Sequence, residues 1–292
     1  MRERCATRAD ARGDHMLGTA FPAARLLLVE QPLPWGPEGL RTSRFDAETA
    51  LAVEARARAE GIRVQAIRPP GRAHRVHRRW ALVDTRDDSK ALRWGTFDDD
   101  AELLELPLDG SAGEPDPGPL YLVCTHGKHD PCCALRGRPV TVALEALRPG
   151  RVWQASHLGG CRFAPTVLVL PLGLMYGRVP PSATPELVTA AEADEVIGTL
   201  LRGRIGLPPA AQAAVAFAHQ RLELPRSGDI SLVSTTTLDG ATVRVRVDSP
   251  GGQLDVTVTR ERVDATGLTC ASPGPSWFVA HHPVAIEPAH DL

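Results

Sequence analysis

Cys124, Cys132, Cys133 and Cys161 fall within 38 residues, a window in which an even spread of the six cysteines would put fewer than one. They sit in two runs, Cys124-Thr-His-Gly-Lys-His-Asp-Pro-Cys132-Cys133 and His157-Leu-Gly-Gly-Cys161. Cys124 with Cys133 (eight residues between) and His157 with Cys161 (three between) make two pairs of soft or borderline ligands. Thiolate and imidazole suit zinc, copper or an iron–sulfur cluster, and the oxygen ligands that magnesium or calcium prefers are few here. Gly127, Gly159 and Gly160 carry no Cβ, so their backbone N–H groups can approach a thiolate or sulfide closely and donate to it.

Neighbouring groups have weaker claims. His126 and His129 lie in the first run as alternative ligands or as donors that orient the ligands. Lys128 and Arg162 flank the ligands, where a cation favours the thiolate form, though ordinary solvated surface is the competing reading. Cys132 adjoins Cys133 and is not part of a C-x-x-C pair, and vicinal disulfides are strained, so a thiol–disulfide exchange site is poorly formed. Cys132 is expected to be a spare thiol packed inward at a helix start. Zinc is compatible with the donor set, but neither run has the C-x2-4-C spacing of zinc sites. Cys5 and Cys270 lie far off in sequence and are expected to be bystanders.

Composition limits what surrounds these residues. The 292 residues carry 33 basic and 35 acidic side chains, a formal charge of −2, which argues against a nucleic-acid-binding field. Hydrophobic residues at 43% and charged residues at 23% are ordinary for a globular chain. No apolar run approaches the ~20 residues of a membrane span, and residues 1–17 lack the apolar core of a secretory signal. A cytoplasmic protein with reduced thiols is the expectation, which favours metal or redox chemistry over a disulfide scaffold. Thirty-one of the basic residues are arginine, as codon bias in a GC-rich genome would produce.

The elements that must position the cysteines read as α/β in two lobes. Residues 1–17 are expected to be a disordered tail. Over 18–106 the order is a buried strand at Arg25–Glu30, a helix capped by Asp46 and stopped near Gly61, strands at Ile62–Ile67, Trp80–Asp84 and Ala91–Thr96, and a short helix opened by Asp98–Asp100. Residues 107–118, rich in Gly, Pro and Asp, read as a linker. Over 119–202 the order is strand (Leu120–Val123, delivering Cys124), helix (about Leu135–Leu147), strand (Val152–Ala155), hairpin (Thr166–Leu170, Leu174–Val179) and a helix from Pro185. That is the order of a thioredoxin-like unit, and the first lobe admits the same fold. Residues 203–292 read as a helix (Pro208–Leu222) and a β-meander, with turns at Asp239-Gly240 and Gly251-Gly252 and a solvated tail holding His281, His282 and His290.

Cys124 leaves the carboxyl end of its strand, and His157 and Cys161 precede a strand expected to run antiparallel to it. Both loops then open at one end of the sheet. Ala164-Pro165-Thr166 resembles the cis-proline position of thioredoxin-like folds, which lies beside their redox site. The run Arg63–Arg79, with six arginines, reads as a docking face for an acidic redox partner or a phosphate-bearing cofactor, or as a solvated strand edge neutralised by the acidic cluster at Asp84–Asp100. The five tryptophans read as core or lobe interface.

Three segments, LLLVEQPLPWG (Leu26–Gly36), CTHGKHDPCCALRGRP (Cys124–Pro139) and HLGGCRFAPTVLVLP (His157–Pro171), resemble the sucrase/ferredoxin-like family of bacteria and fungi, and together cover about a seventh of the chain. The resemblance implies a thioredoxin-like fold that binds a 2Fe–2S cluster and transfers electrons, with an unidentified reductase and acceptor as partners. It assigns the family's two cysteines to Cys124 and Cys133 and its first histidine to His157. Where characterised fungal relatives have a second histidine this chain has Cys161, which favours three cysteines and one histidine, or a set in which Cys161 is free. On that set an oxidised cluster carries −1 and a reduced one −2. The implied potential lies between about −400 mV for all-cysteine clusters and the roughly −150 to +300 mV of two-histidine centres, on the low side of the latter. No carboxylate pair supports sugar hydrolysis. The rival readings are a thioredoxin-like thiol oxidoreductase and a zinc-binding structural or interaction module.

Overall fold

The chain opens with helix α1 (Cys5–Arg12) and strand β1 (Arg25–Glu30) in a computed structural model that describes residues 3–71, 76–86 and 90–289. Along β1, Leu26 and Leu28 enter one core and Leu27 and Val29 another. Such a strand is buried on both faces and must lie inside a covered sheet. Asp46 caps α2 (Ala47–Ala59), its side chain accepting from the Thr49 N–H at 2.8 Å. The chain continues through β2 (Ile62–Arg68), β3 (Arg78–Asp84), β4 (Ala91–Phe97), α3 (Glu102–Glu105) and β5 (Glu114–Pro115). Next come β6 (Leu120–Cys124), α4 (Pro131–Leu147), β7 (Val152–Ala155), β8 (Val167–Leu170), β9 (Leu174–Tyr176), α5 (Thr184–Glu192) and β10 (Leu201–Arg204). The last elements are α6 (Pro209–Leu222), β11 (Ser231–Thr237), β12 (Thr242–Asp248), β13 (Leu254–Thr266) and β14 (Pro275–Pro288).

Ten strands form one sheet in the order β10-β9-β8-β6-β7-β2-β1-β3-β4-β5. Two similar units lie within it. In β2-β1-β3-β4 the first pair is parallel and the others antiparallel; in β7-β6-β8-β9 the pattern repeats. This is the thioredoxin-like strand order, with α2 or α4 crossing between the parallel strands. The units join edge to edge where β2 pairs antiparallel with β7, Ile67 opposite Ala155 and Arg68 opposite Gln154. Trp94 of one unit stacks on Trp153 of the other, centroids 5.3 Å apart. Both expected lobes are therefore halves of a single sheet. The expected Pro107–Gly118 linker contributes β5 to its edge.

The C-terminal region packs through α6, whose alanines are small enough to let it lie between β10 and the four-stranded sheet β11-β12-β13-β14. That sheet has one strand more than the sequence reading: β14 takes up the supposed tail, and His281 is buried in it. The described part of residues 1–17 is likewise structured, with Cys5, Ala6 and Ala9 of α1 buried. Of the tryptophans, Trp277 departs from the core reading: it lies exposed on β14 beside Arg262. Among the described residues no helix is long and apolar enough to cross a membrane.

Candidate metal centre

Strand β6 ends at Cys124, and the chain turns through Thr125–His129 into α4. Asp130 caps that helix, its carboxylate accepting from the Cys132 N–H at 2.8 Å, and Pro131 fits the first turn because it needs no hydrogen-bond donor there. The helix thus starts four residues earlier than the sequence pattern suggests and carries Cys132 and Cys133 on its first turn. Gly137 lets it seat closely, since a Cβ there would collide with the Cys124 carbonyl. From the other side, β7 delivers His157 and Cys161, with Gly159 and Gly160 both at positive φ (89° and 67°). The Ala164–Pro165 bond is cis, as the thioredoxin-like position suggested, and Pro165 leads directly into β8, antiparallel to β6.

The two runs meet. Ligand atoms of Cys124, Cys133 and His157 lie within 4.8 Å of one another, as do those of His129, His157 and Cys161. Cys161 Sγ is 3.5 Å from His157 Nδ1. All the cysteines here are free and buried. Hydrogen bonding from Cys133, with help from His157 and a Leu158 backbone N–H, draws the Cys124 thiol well below its usual value. Cys133 shares its proton with Cys124 and Cys161 and is pushed far up. Cys161, bonded first to Cys133 and then to His129 and His157, falls to about 4. Burial opposes charge on His157, yet its bonds to Cys124 and Cys161 hold it at about 9. Neighbours in this cluster therefore favour thiolates paired with a cation.

The supporting residues come largely from the first unit. His126 is buried, its Nδ1 accepting from the His157 N–H at 3.1 Å and its Nε2 donating to the Gly36 carbonyl at 2.6 Å. Both ring nitrogens are used, so His126 braces the loops and is not free to ligate. His129 donates from Nδ1 to the Pro37 carbonyl at 3.2 Å and stacks on His157 with centroids 3.7 Å apart. Its side chain also hydrogen-bonds to Cys161. Arg63 on β2 donates to the His157 carbonyl at 3.0 Å. The segment around Trp35 and Gly36 belongs to the site for this reason, and its signal in the sequence was only the resemblance.

Other expected residues go elsewhere. Arg162 pairs with Asp14 at 3.2 Å and lies over Phe163 and Phe278; Lys128 is exposed on the loop. Cys132 is packed inward on the first turn of α4, as expected of a spare thiol, and its sulfur lies with those of Cys5 and Cys270 rather than in the first cluster. Gly159 and Gly160 both take positive φ, and the missing Cβ of Gly160 leaves room for a neighbouring guanidinium. The described arginines of the Arg63–Arg79 run are occupied within the chain: Arg63 with His157, Arg68 with Gln154 and the Trp35 face, Arg78 with Asp100, and Arg79 over Trp94. Arg72 and Arg75 lie outside the described residues.

Sequence reasoning missed Arg202 altogether. Its side chain, 1% exposed, donates from Nε to the Thr19 hydroxyl and from Nη1 to the Gly159 carbonyl, both at 3.0 Å. Among the described residues no carboxylate pairs with it. Desolvation lowers it to about 10, and the negative charge of Cys124, Cys161 and Cys133 opposes that fall. A Cβ on Gly160 would overlap the guanidinium. A buried cation needs a buried anion, and the thiolate cluster is the one at hand.

A family model for sucrase/ferredoxin-like proteins matches residues 17–203. The chain belongs to that family. A sucrase/ferredoxin-like chain of this length extends past the matched region at both ends, through α1 and through α6 to β14. Comparison with curated proteins found no match. Among solved structures, a thioredoxin-like 2Fe–2S ferredoxin from Aquifex aeolicus aligns with 32% of this chain and 97% of its own, at 23% identity and a TM-score of 0.28. A cysteine-to-serine variant of that ferredoxin aligns with 28% of this chain and 96% of its own, at 25% identity and a TM-score of 0.26.

Proposed function

We propose that this protein is an electron carrier whose 2Fe–2S cluster is held by Cys124, Cys133, His157 and Cys161, with 18–106, 119–202 and 203–292 as its working units. The observation that carries the reading is the meeting of three thiols and one imidazole beside Arg202, a buried cation with no carboxylate partner among the described residues. Three thiolates and a neutral imidazole around a +2 core give −1, which Arg202 offsets; a neutral two-histidine set would leave it uncompensated. When bound, the cluster supplies reversible one-electron chemistry.

The chain's own residues do the rest. The Leu158 N–H is directed at the Cys124 sulfur, stabilising its thiolate. His126 and Arg63 fix the backbone of His157 from both sides. His157 and His129 lie on the wall of a cleft of about 400 Å³ that also takes in Pro37, Leu40 and Gln65. The imidazole edge is therefore the part of the ligand set nearest solvent, and a redox partner, reductase or acceptor, is expected to dock there.

Freshly purified protein should be red-brown and contain iron and acid-labile sulfide in equal amounts. Its potential should fall with rising pH where His157 loses its second proton. Colourless protein with zinc in place of iron would turn the reading toward a structural module.

A further inference from the structure

Three cysteines far apart in sequence meet at the first turn of α4, in a group separate from the first cluster. Cys5 opens α1, Cys132 lies on the first turn of α4, and Cys270 lies in the 267–274 connection between β13 and β14. Their sulfurs form a closed triangle: Cys5 to Cys132 3.6 Å, Cys132 to Cys270 3.5 Å, Cys270 to Cys5 3.5 Å. Asp130 completes the group, its Oδ2 3.3 Å from Cys5 Sγ. That carboxylate is 0% exposed, and among the described residues no cation pairs with it. It accepts the backbone N–H groups of Cys132 and Cys270, each at 2.8 Å, and the Cys5 thiol.

The spacing discriminates between possible roles. A disulfide bond would bring two sulfurs to about 2.0 Å and strand the third. Tetrahedral zinc, with metal–sulfur bonds of about 2.3 Å and metal–oxygen bonds of about 2.0 Å, has sulfur–sulfur edges of roughly 3.8 Å and sulfur–oxygen edges of roughly 3.5 Å. The observed edges lie within a few tenths of an ångström of those values. Backbone donors also point at the sulfurs: the Cys5 N–H reaches Cys270 Sγ at 3.4 Å, and the Ala6 N–H reaches Cys132. Two helix N-termini therefore face one buried group of acidic side chains.

The geometry points to a second metal site, in which Cys5, Cys132, Cys270 and Asp130 hold one zinc ion. On binding, the three thiols release their protons to solvent and all four donors bond as anions, leaving no change of oxidation state. Zinc there ties α1, α4 and the β13–β14 connection together, segments separated by 127 to 265 residues. It also occupies Cys132, keeping that thiol from competing with its neighbour Cys133. Cys5 and Cys270 both lie outside the residues 17–203 matched by the family model.

Metal analysis of the full chain as purified tests this directly. One zinc per chain is expected, lost in Cys5→Ser and in Cys270→Ser while iron, sulfide and visible colour persist. Cys124→Ser should do the reverse, losing colour and keeping zinc. Cobalt added to zinc-stripped protein should give the intense red-region bands of a tetrahedral thiolate site, absent in Cys270→Ser, a half-buried loop position chosen to spare the fold. Stripping zinc should also expose the β13–β14 connection to protease. Zinc that disappears with Cys124→Ser but survives Cys5→Ser and Cys270→Ser would overturn the assignment, as would copper in its place or a disulfide among the three cysteines in the native protein.

Discussion

Cys132 and Cys133 are neighbours on one helical turn and belong to different clusters: Cys132 Sγ lies 3.5 Å from Cys270 Sγ, while Cys133 groups with Cys124 and His157. Adjacent helical residues project about 100° apart, so the start of α4 can serve two groups of donors at once. Asp130, which caps the helix, sets the position of both.

The thiols should separate by variant. Cys124→Ala and Cys133→Ala are expected to yield colourless protein, and Cys132→Ala to stay coloured. Cys161→Ala is the informative case, because His129 Nε2 lies within reach of the same position. Visible absorption that survives Cys161→Ala and vanishes in the Cys161→Ala/His129→Ala double variant would make His129 the fourth ligand.

Arg202 and the cluster should stabilise one another. Arg202→Met removes the buried cation and leaves the anionic cluster uncompensated, a loss of roughly 3 kcal/mol for the loaded protein. The midpoint potential should move negative, because a positive charge favours the reduced, more negative cluster. Equal denaturant midpoints for the loaded variant and wild type would remove Arg202 from this role. Gly160→Ala should mimic the loss in part, through its φ of 67° and its overlap with Arg202.

Metal uptake should depend on pH with a definite sign. His157 in the metal-free chain is held at about 9, so below that pH a metal must displace its proton, and affinity rises as pH rises. The elevated Cys133 thiol adds to the slope in the same direction. For cobalt binding in a Cys270→Ser background, the slope of log affinity against pH between 6.5 and 9 should fall by about one proton in His157→Ala. An unchanged slope would mean that His157 carries no proton in the metal-free protein.

The brace through His126 should matter more for the site than for the fold around it. His126→Ala leaves the His157 N–H and the Gly36 carbonyl without their partner, at a cost of about 1–3 kcal/mol. The electron paramagnetic resonance signal of the reduced protein should broaden as His157 gains freedom. A sharp, unshifted signal would show that Arg63 alone suffices to hold the loop.

Much of the site was legible in the residues themselves. Cys124, Cys133, His157 and Cys161 carry donor chemistry in their side-chain types, and their place at strand ends follows from the short continuous apolar runs at Leu120–Val123 and Thr166–Leu170 that bound them. The order of elements along the chain in both units, and α6, could be read for the same reason: local apolar pattern is a property of short windows. Arg202 and Arg204 hid β10, because a Leu-Arg-Gly-Arg segment reads as solvated, and only the tertiary structure supplies the partners that let two arginines be buried. Cys5 and Cys270 looked isolated because sequence separation says nothing about a triangle closed by α1, α4 and the hairpin connection. Local pattern determined the donors and the strands that carry them. Which donors share a group, and which buried charges they answer, was decided by packing alone, since both depend on segments that meet only once the ten-stranded sheet and the C-terminal meander are in place.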